Sequence, residues 1–141
     1  MTFKLDEFLP YRLSVAAAQI SRRFASIYAA EAGLTIPEWR VLAHLAQSAE
    51  VSVRDIQARV NLDKSMVSRA ATQLEEEGYV SKSGHGTDRR LIVLQLTPKG
   101  IALMQRLAPL AEQFQQQILT ELGPDAEALA RALDRLAQKN A

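Results

Sequence analysis

Apolar residues recur at helical spacing over two long stretches near the ends of the chain, and the pattern between them is shorter and punctuated. Leu13, Ala17, Ile20, Phe24, Ile27 and Tyr28 form one stripe, which stops at Gly33, a residue suited to a left-handed C-terminal cap. The spacing predicts a helix of roughly twenty or more residues. Towards the other end, Thr97 is placed to cap and Pro98 to take the first helical position, ahead of Ile101, Met104, Leu107, Ala108, Ala111, Phe114, Ile118 and Leu122. Gly123, Pro124 and Asp125 then restart the chain into a last short helix bearing Leu129, Leu133 and Leu136.

Three shorter helices are predicted between these. Thr35 and Glu38 have capping-box spacing, with Pro37 in the first turn, and open a helix containing Trp39, Leu42, Ala43 and Leu45. Ser52 and Asp55 make a weaker box for a helix holding Val53, Ile56 and Val60. Asp63 caps the third, with Leu62 placed to staple onto Val67, and Gly78 ends it. Beyond Gly78 the period changes from helical to extended. Residues 79–84 and 91–96 read as two strands, joined by a connection over 85–90 that predicts a hairpin with a projecting tip.

Composition narrows what such a chain does. At 141 residues it has the size of one domain, which buries roughly 68 to 70 per cent of its unfolded surface and needs no covalent staple. The absence of cysteine removes disulfides, cysteine-rich zinc sites and thiol nucleophiles, and fits a reducing cytoplasm. No run approaches the roughly 18 to 20 apolar residues of a membrane span. The N-terminus, with Lys4, Asp6, Glu7 and Pro10, lacks a signal-peptide core, so a cytoplasmic protein with no membrane partner is expected. The net charge of +1 does not announce a nucleic-acid partner, but its distribution is uneven. Across 82–99 the charges are Lys82, Arg89, Arg90 and Lys99 against Asp88 alone, whereas from Ile101 onward acidic residues prevail.

That basic segment adjoins a short helix from Val53, a tight turn at Asn61 and Leu62, a second helix from Lys64, and the hairpin. The order matches a helix-turn-helix followed by a wing. On the second helix Val67, Ala70, Ala71 and Leu74 fall on one face and are expected to be buried. The opposite face presents Ser65, Ser68, Arg69 and Thr72, flanked by Lys64 and Gln73. These side chains suit a major groove: Arg bridges guanine O6 and N7, Gln bridges adenine N6 and N7, and hydroxyls donate or accept. Glu75, Glu76 and Glu77 would meet phosphate with like charge, so only the first two or three turns are expected to enter. Arg89 and Arg90 at the hairpin suit a narrow minor groove of enhanced negative potential, and Asp88 is spaced to orient Arg90 by a charge-assisted hydrogen bond.

Other chemistry is not indicated. His44 and His85 have no spacing for a shared metal; His44 reads as a helix residue near the core and His85 as a wing residue within reach of phosphate. Trp39, Met66 and Met104 read as packing residues. No nucleophile has a base at hand and no glycine-rich phosphate loop is present, so neither catalysis nor a cofactor is expected. A winged fold that docks a protein partner without reading DNA is the alternative, but it would need an apolar outer face on the helix from Lys64.

The segments NLDKSMVSRAATQLEEEGYV and TDRRLIVLQLTPKG, together with the order of elements over essentially the whole chain, resemble the MarR family of bacterial transcriptional regulators. The resemblance implies a mainly α fold with a small β-hairpin wing: a winged helix-turn-helix lobe over 35–97 within one domain spanning 1–141, and dimerisation helices over 6–33 and 98–138. It places Ser65, Ser68 and Arg69 at the major groove and Asp88 with Arg90 on the wing. Gly86 departs from it, standing where many relatives carry a second acidic residue. It further implies a homodimer on a pseudo-palindromic double-stranded operator, with recognition helices roughly 34 Å apart. A repressor relieved by a small aromatic or anionic effector is expected, with Arg12, Arg22, Arg23, Trp39 and His44 as candidate pocket residues.

Overall fold

A computed structural model describes residues 2–48, 50–60, 62–85 and 88–138; the side chains of residues 85, 88–91 and 138 lie outside the described set. Helix α1 spans Leu9–Ala32 and α2 Ile36–Ser48, followed by strand β1 (Glu50–Ser52) and α3 (Val53–Val60). Then come α4 (Lys64–Glu76), the strands β2 (Val80–His85) and β3 (Asp88–Leu96), and the helices α5 (Pro98–Leu122) and α6 (Ala126–Gln138). The chain divides into two compact units, Met1–Leu107 and Ala108–Ala141.

In the first unit each helix begins or ends where the sequence supplies a terminal partner. Gly33 takes a left-handed conformation (φ 68°), and its N–H donates to the Ala29 carbonyl to close α1. The Thr35–Glu38 box is reciprocal: Thr35 N–H donates to Glu38 Oε1 at 2.9 Å and Glu38 N–H to Thr35 Oγ1 at 3.3 Å. The box holds Glu38 almost fully buried, at 5% exposure, with its carboxyl group accepting the Thr35 N–H. Ser52 Oγ accepts the Asp55 N–H at 3.1 Å and starts α3.

The core of this unit joins Val41, Leu42 and Leu45 of α2, Ile56 and Val60 of α3, and Val67, Ala70, Ala71 and Leu74 of α4. Val51, Val80 and Leu94 close it from the sheet, and Phe24 and Tyr28 are buried on α1. Phe24, Tyr28 and Trp39 make a three-ring cluster with centroids 5.1–5.4 Å apart. Edge-to-face and stacked pairs of this kind add to simple area burial.

Two features of the sheet depart from the sequence expectation. It has three antiparallel strands in the order β1-β3-β2, the extra one being β1, with Val51 opposite Leu94. A three-residue strand has no period to read, and its identity comes from the distant partner that completes its hydrogen bonds. The hairpin ladder also runs further than expected, to the His85–Asp88 pair, with an irregularity between Gly84 and His85. Asp88, Arg89 and Arg90 therefore belong to the start of β3 instead of to a connecting loop. Tyr79, expected to begin the first strand, donates its N–H to the Leu74 carbonyl and completes the end of α4.

The second unit comprises the later part of α5, a turn of 3-10 helix at Gly123–Asp125 and α6. Gly123 restarts the chain with φ 57°. No described residue of α6 is buried, although Leu129, Leu133 and Leu136 recur along it. Among the described residues, no helix is long and apolar enough to cross a membrane.

Candidate nucleic-acid interface

Helix α4 is held at both ends. Asp63 is its N-cap, and its carboxylate accepts the Met66 N–H at 2.8 Å and the Ser65 hydroxyl at 2.8 Å. The backbone bond from Met66, then the bond from Ser65, hold the Asp63 carboxyl below its ordinary pKa. At the other end Gly78 has φ 86°, its N–H donates to the Glu75 carbonyl, and Tyr79 N–H reaches the Leu74 carbonyl at 2.9 Å. This pair of bonds is a Schellman closure and requires a residue tolerant of the left-handed region.

Between those ends the helix has two faces. Val67, Ala70, Ala71 and Leu74 are buried as expected, and Lys64, Ser65, Ser68, Arg69, Thr72 and Gln73 are all exposed. Two outward side chains have protein partners that periodicity does not show. Lys82 on β2 donates to Thr72 Oγ1 at 2.9 Å and lies 3.9 Å from the Glu75 carboxylate, and Gln73 Nε2 donates to Glu77 Oε1 at 2.7 Å. The Gln73 bond occupies one amide hydrogen and leaves the second, with the carbonyl oxygen, for an external partner. Arg69 has no hydrogen bond or ion pair among the described residues. Asp88, Arg89 and Arg90 lie on β3, which pairs with the strand carrying Lys82; their side chains, like that of His85, and residues 86 and 87, fall outside the described set.

The root of the hairpin is locked to α4 and α5. Thr97 N–H donates to the Tyr79 carbonyl at 3.1 Å, its hydroxyl donates to the Gly78 carbonyl, and the same hydroxyl oxygen accepts Gly100 N–H at 3.1 Å to cap α5. Lys99 Nζ reaches the Glu77 carbonyl at 2.6 Å and lies 4.7 Å from the centroid of the Tyr79 ring. Thr97 and Pro98 were legible as a helix start, whereas the roles of Lys82, Lys99 and Gly100 needed the tertiary contacts.

The candidate effector residues are dispersed. Arg12, Arg22 and Arg23 are exposed on α1, Trp39 packs in the aromatic cluster, and His44 is half-buried on α2. His44 Nδ1 is buried without a hydrogen-bond partner among the described residues; burial first, and the Arg59 charge second, lower its pKa and favour the neutral ring. Burial raises the Tyr28 pKa, partly opposed by Arg40. A groove of about 400 Å³ lies elsewhere, between the start of α2 and α4, lined by Thr35, Pro37, Glu38, Met66, Arg69, Ala70 and Gln73. None of the five candidates lines it. Among the described residues no group of His, Asp or Glu could hold a metal ion.

Comparison with known proteins bears on this geometry. Residues 34–92, which span the start of the lobe to β3, match the model of the MarR family. The HTH-type transcriptional regulator YdgJ of Bacillus subtilis is 28% identical over 97 residues, covering 69% of this chain and 59% of YdgJ. The chain thus matches less than two-thirds of that relative's length. The MarR/EmrR family transcriptional regulator of Acinetobacter sp. ADP1 superimposes with a TM-score of 0.84 at 27% identity, covering 97% of each chain. BpsR of Bordetella bronchiseptica, whose DNA binding is regulated by 6-hydroxynicotinic acid, shares the fold with a TM-score of 0.80 at 24% identity over 98% of each chain. Residues 34–92 thus carry the winged helix-turn-helix of the MarR family, and the chain as a whole shares the fold of a MarR/EmrR-family transcriptional regulator.

Proposed function

We propose that this protein is a cytoplasmic, homodimeric transcriptional regulator that binds a pseudo-palindromic DNA operator, acting as a repressor relieved by a small molecule. The observation that carries the reading is the outward face of α4. Six polar side chains from Lys64 to Gln73 stand exposed on a helix capped at both ends and tied to β2 through Lys82. Such a face presents donors and acceptors to base edges without reorganising the helix. The hairpin arginines Arg89 and Arg90 supply minor-groove or phosphate contacts, with Asp88 steadying Arg90. A bound dimer covering a promoter would exclude polymerase by occupancy alone, which is repression without any further contact.

Exposed apolar residues support dimerisation through 6–33 and 98–138, on either side of a reading lobe at 35–97. Leu9 and Leu136 are 54% and 50% exposed, and Phe8, Tyr11, Leu129 and Leu133 accompany them. A two-fold axis would then set two α4 helices roughly 34 Å apart. Effector control is supported by BpsR; here it would involve an aromatic or anionic molecule and draw on some of Arg12, Arg22, Arg23, Trp39 and His44. An effector acts only by binding one arrangement of the dimer better than the other.

The test is selection from a randomised duplex library, followed by titration of the winning sequence. Arg69→Ala should relax preference at particular base pairs. Arg90→Ala should cost about 1 to 3 kcal/mol of binding and make the salt dependence shallower. An unchanged motif for Arg69→Ala, or unchanged affinity and salt slope for Arg90→Ala, would remove that residue from DNA recognition. Failure of the parent protein to enrich any sequence at moderate salt would overturn the DNA-reading function.

A further inference from the structure

Two hydroxyls on the outward face of α4 have part of their hydrogen-bonding capacity committed before any partner arrives. Ser65 Oγ lies 2.8 Å from Asp63 Oδ1. Burdened already by the Met66 N–H, this carboxylate is kept ionised and has no hydrogen to give, so the bond must run from Ser65 to Asp63. Ser65 then turns only lone pairs outward. Seven residues later the assignment is reversed. Lys82 Nζ carries donors only, so at 2.9 Å it must give a hydrogen to Thr72 Oγ1, and the ammonium is kept in place by Glu75 at 3.9 Å.

The Thr72 hydrogen is left available, together with one lone pair. Thr120 on α5 shows the usual alternative, donating to the carbonyl four residues back, Gln116, at 2.9 Å. Thr72 makes no such bond among the described residues, and both Ser65 and Thr72 are exposed. A separation of seven residues puts them on the same side of the helix, about 10 Å apart along its axis, far enough to meet different base pairs.

We propose that Ser65 and Thr72 are specificity residues of opposite polarity: Ser65, its hydrogen already committed to Asp63, accepts from the exocyclic amino group of adenine or cytosine, and Thr72, its hydrogen free, donates to a base acceptor. This rests on the DNA-reading role proposed above. In the major groove amino donors are adenine N6 and cytosine N4, and acceptors are purine N7, guanine O6 and thymine O4. The assignment also bars Ser65 from holding phosphate, whose oxygens only accept.

Single-atom base analogues test the direction of each bond. A duplex selected by the parent protein is resynthesised, position by position, with purine for adenine or 2-pyrimidinone for cytosine, which delete the amino group. A second series removes acceptors, with 7-deazapurines, with 2-aminopurine for guanine, or with 5-methyl-2-pyrimidinone for thymine. Each duplex is titrated with the parent, Ser65→Ala and Thr72→Val.

One amino deletion should weaken the parent about two- to tenfold and cost Ser65→Ala nothing further. One acceptor deletion at a different base pair should do the same for the parent and cost Thr72→Val nothing further. The proposal fails if Ser65→Ala instead becomes insensitive to an acceptor deletion, or weakens every duplex equally with a shallower salt dependence, or binds like the parent. It also fails if Thr72→Val shares its insensitivity with no acceptor deletion. Loss of the DNA-reading role itself would be seen earlier and separately, as a parent protein that selects no duplex.

Discussion

Replacing Gly100 with alanine would drive a methyl group into the Tyr79 carbonyl. Gly100 is buried in the first turn of α5, and a Cβ built there falls deep inside van der Waals contact with the Tyr79 oxygen and 3.1 Å from Leu96 Cδ2. The leucine tip can rotate, but the carbonyl cannot retreat freely because it accepts the Thr97 N–H at 3.1 Å. Overpacking of this kind typically costs about 1 to 3 kcal/mol, and losing the Thr97 bond would add roughly 1 kcal/mol. Against that, alanine gains up to about 1 kcal/mol over glycine in a helix, and less in its first turn. The net expectation is destabilisation by about 1 to 3 kcal/mol, seen as a fall in Tm of roughly 3 to 12 °C. Thermal unfolding should be followed at fixed protein concentration, because association would make Tm concentration-dependent. Gly84→Ala is the control: nothing lies within 4 Å of its built Cβ, so it should be neutral or slightly stabilising. If Gly100→Ala melts at or above the parent temperature, the close approach of α5 to Tyr79 is wrong.

Glu38→Ala should lower stability by about 1 to 2 kcal/mol in urea unfolding, by removing half of a buried capping box, while Glu38→Gln should retain most of it. Asp63→Asn should show a pH signature. Since the folded pKa of Asp63 is lowered, its contribution is complete above the unfolded carboxylate value and is lost as pH falls through the folded one. The stability gap between parent and Asp63→Asn should therefore be level from neutral pH to about pH 5 and close below about pH 4. A gap that widens in acid would contradict that account of the cap.

Local rules made much of α4 legible. A 3.6-residue period separated Val67, Ala70, Ala71 and Leu74 from the polar face, and Asp63 and Gly78 marked its ends through side-chain oxygen and backbone conformation, both properties of single residues. What stayed hidden depends on residues far apart in the chain. β1 exists because Glu50, Val51 and Ser52 find Gln95, Leu94 and Val93, and three residues carry no alternation of their own. Polar residues at 85–90 look like loop, yet ladder pairing draws Asp88, Arg89 and Arg90 into β3. One lone pair of Thr72 is occupied by Lys82, ten residues away on a strand whose distance from the helix no periodicity encodes.

Ser52 occupies a position with mechanical meaning. It is the last residue of β1, opposite Val93 of the wing's central strand, and its hydroxyl is also the first hydrogen-bond acceptor of α3. Nothing soft separates the two duties, so a force on the wing is delivered to the helix-turn-helix within one residue. With Lys82 fastening β2 to α4 as a second strut, the reading head is triangulated. Such a body yields by turning as a whole before it bends. In the homodimer proposed above, the adjustable quantity would be the distance and angle between two reading heads, and a mutation that slackened Ser52 should blur each half-site while leaving the preferred half-site spacing where it was.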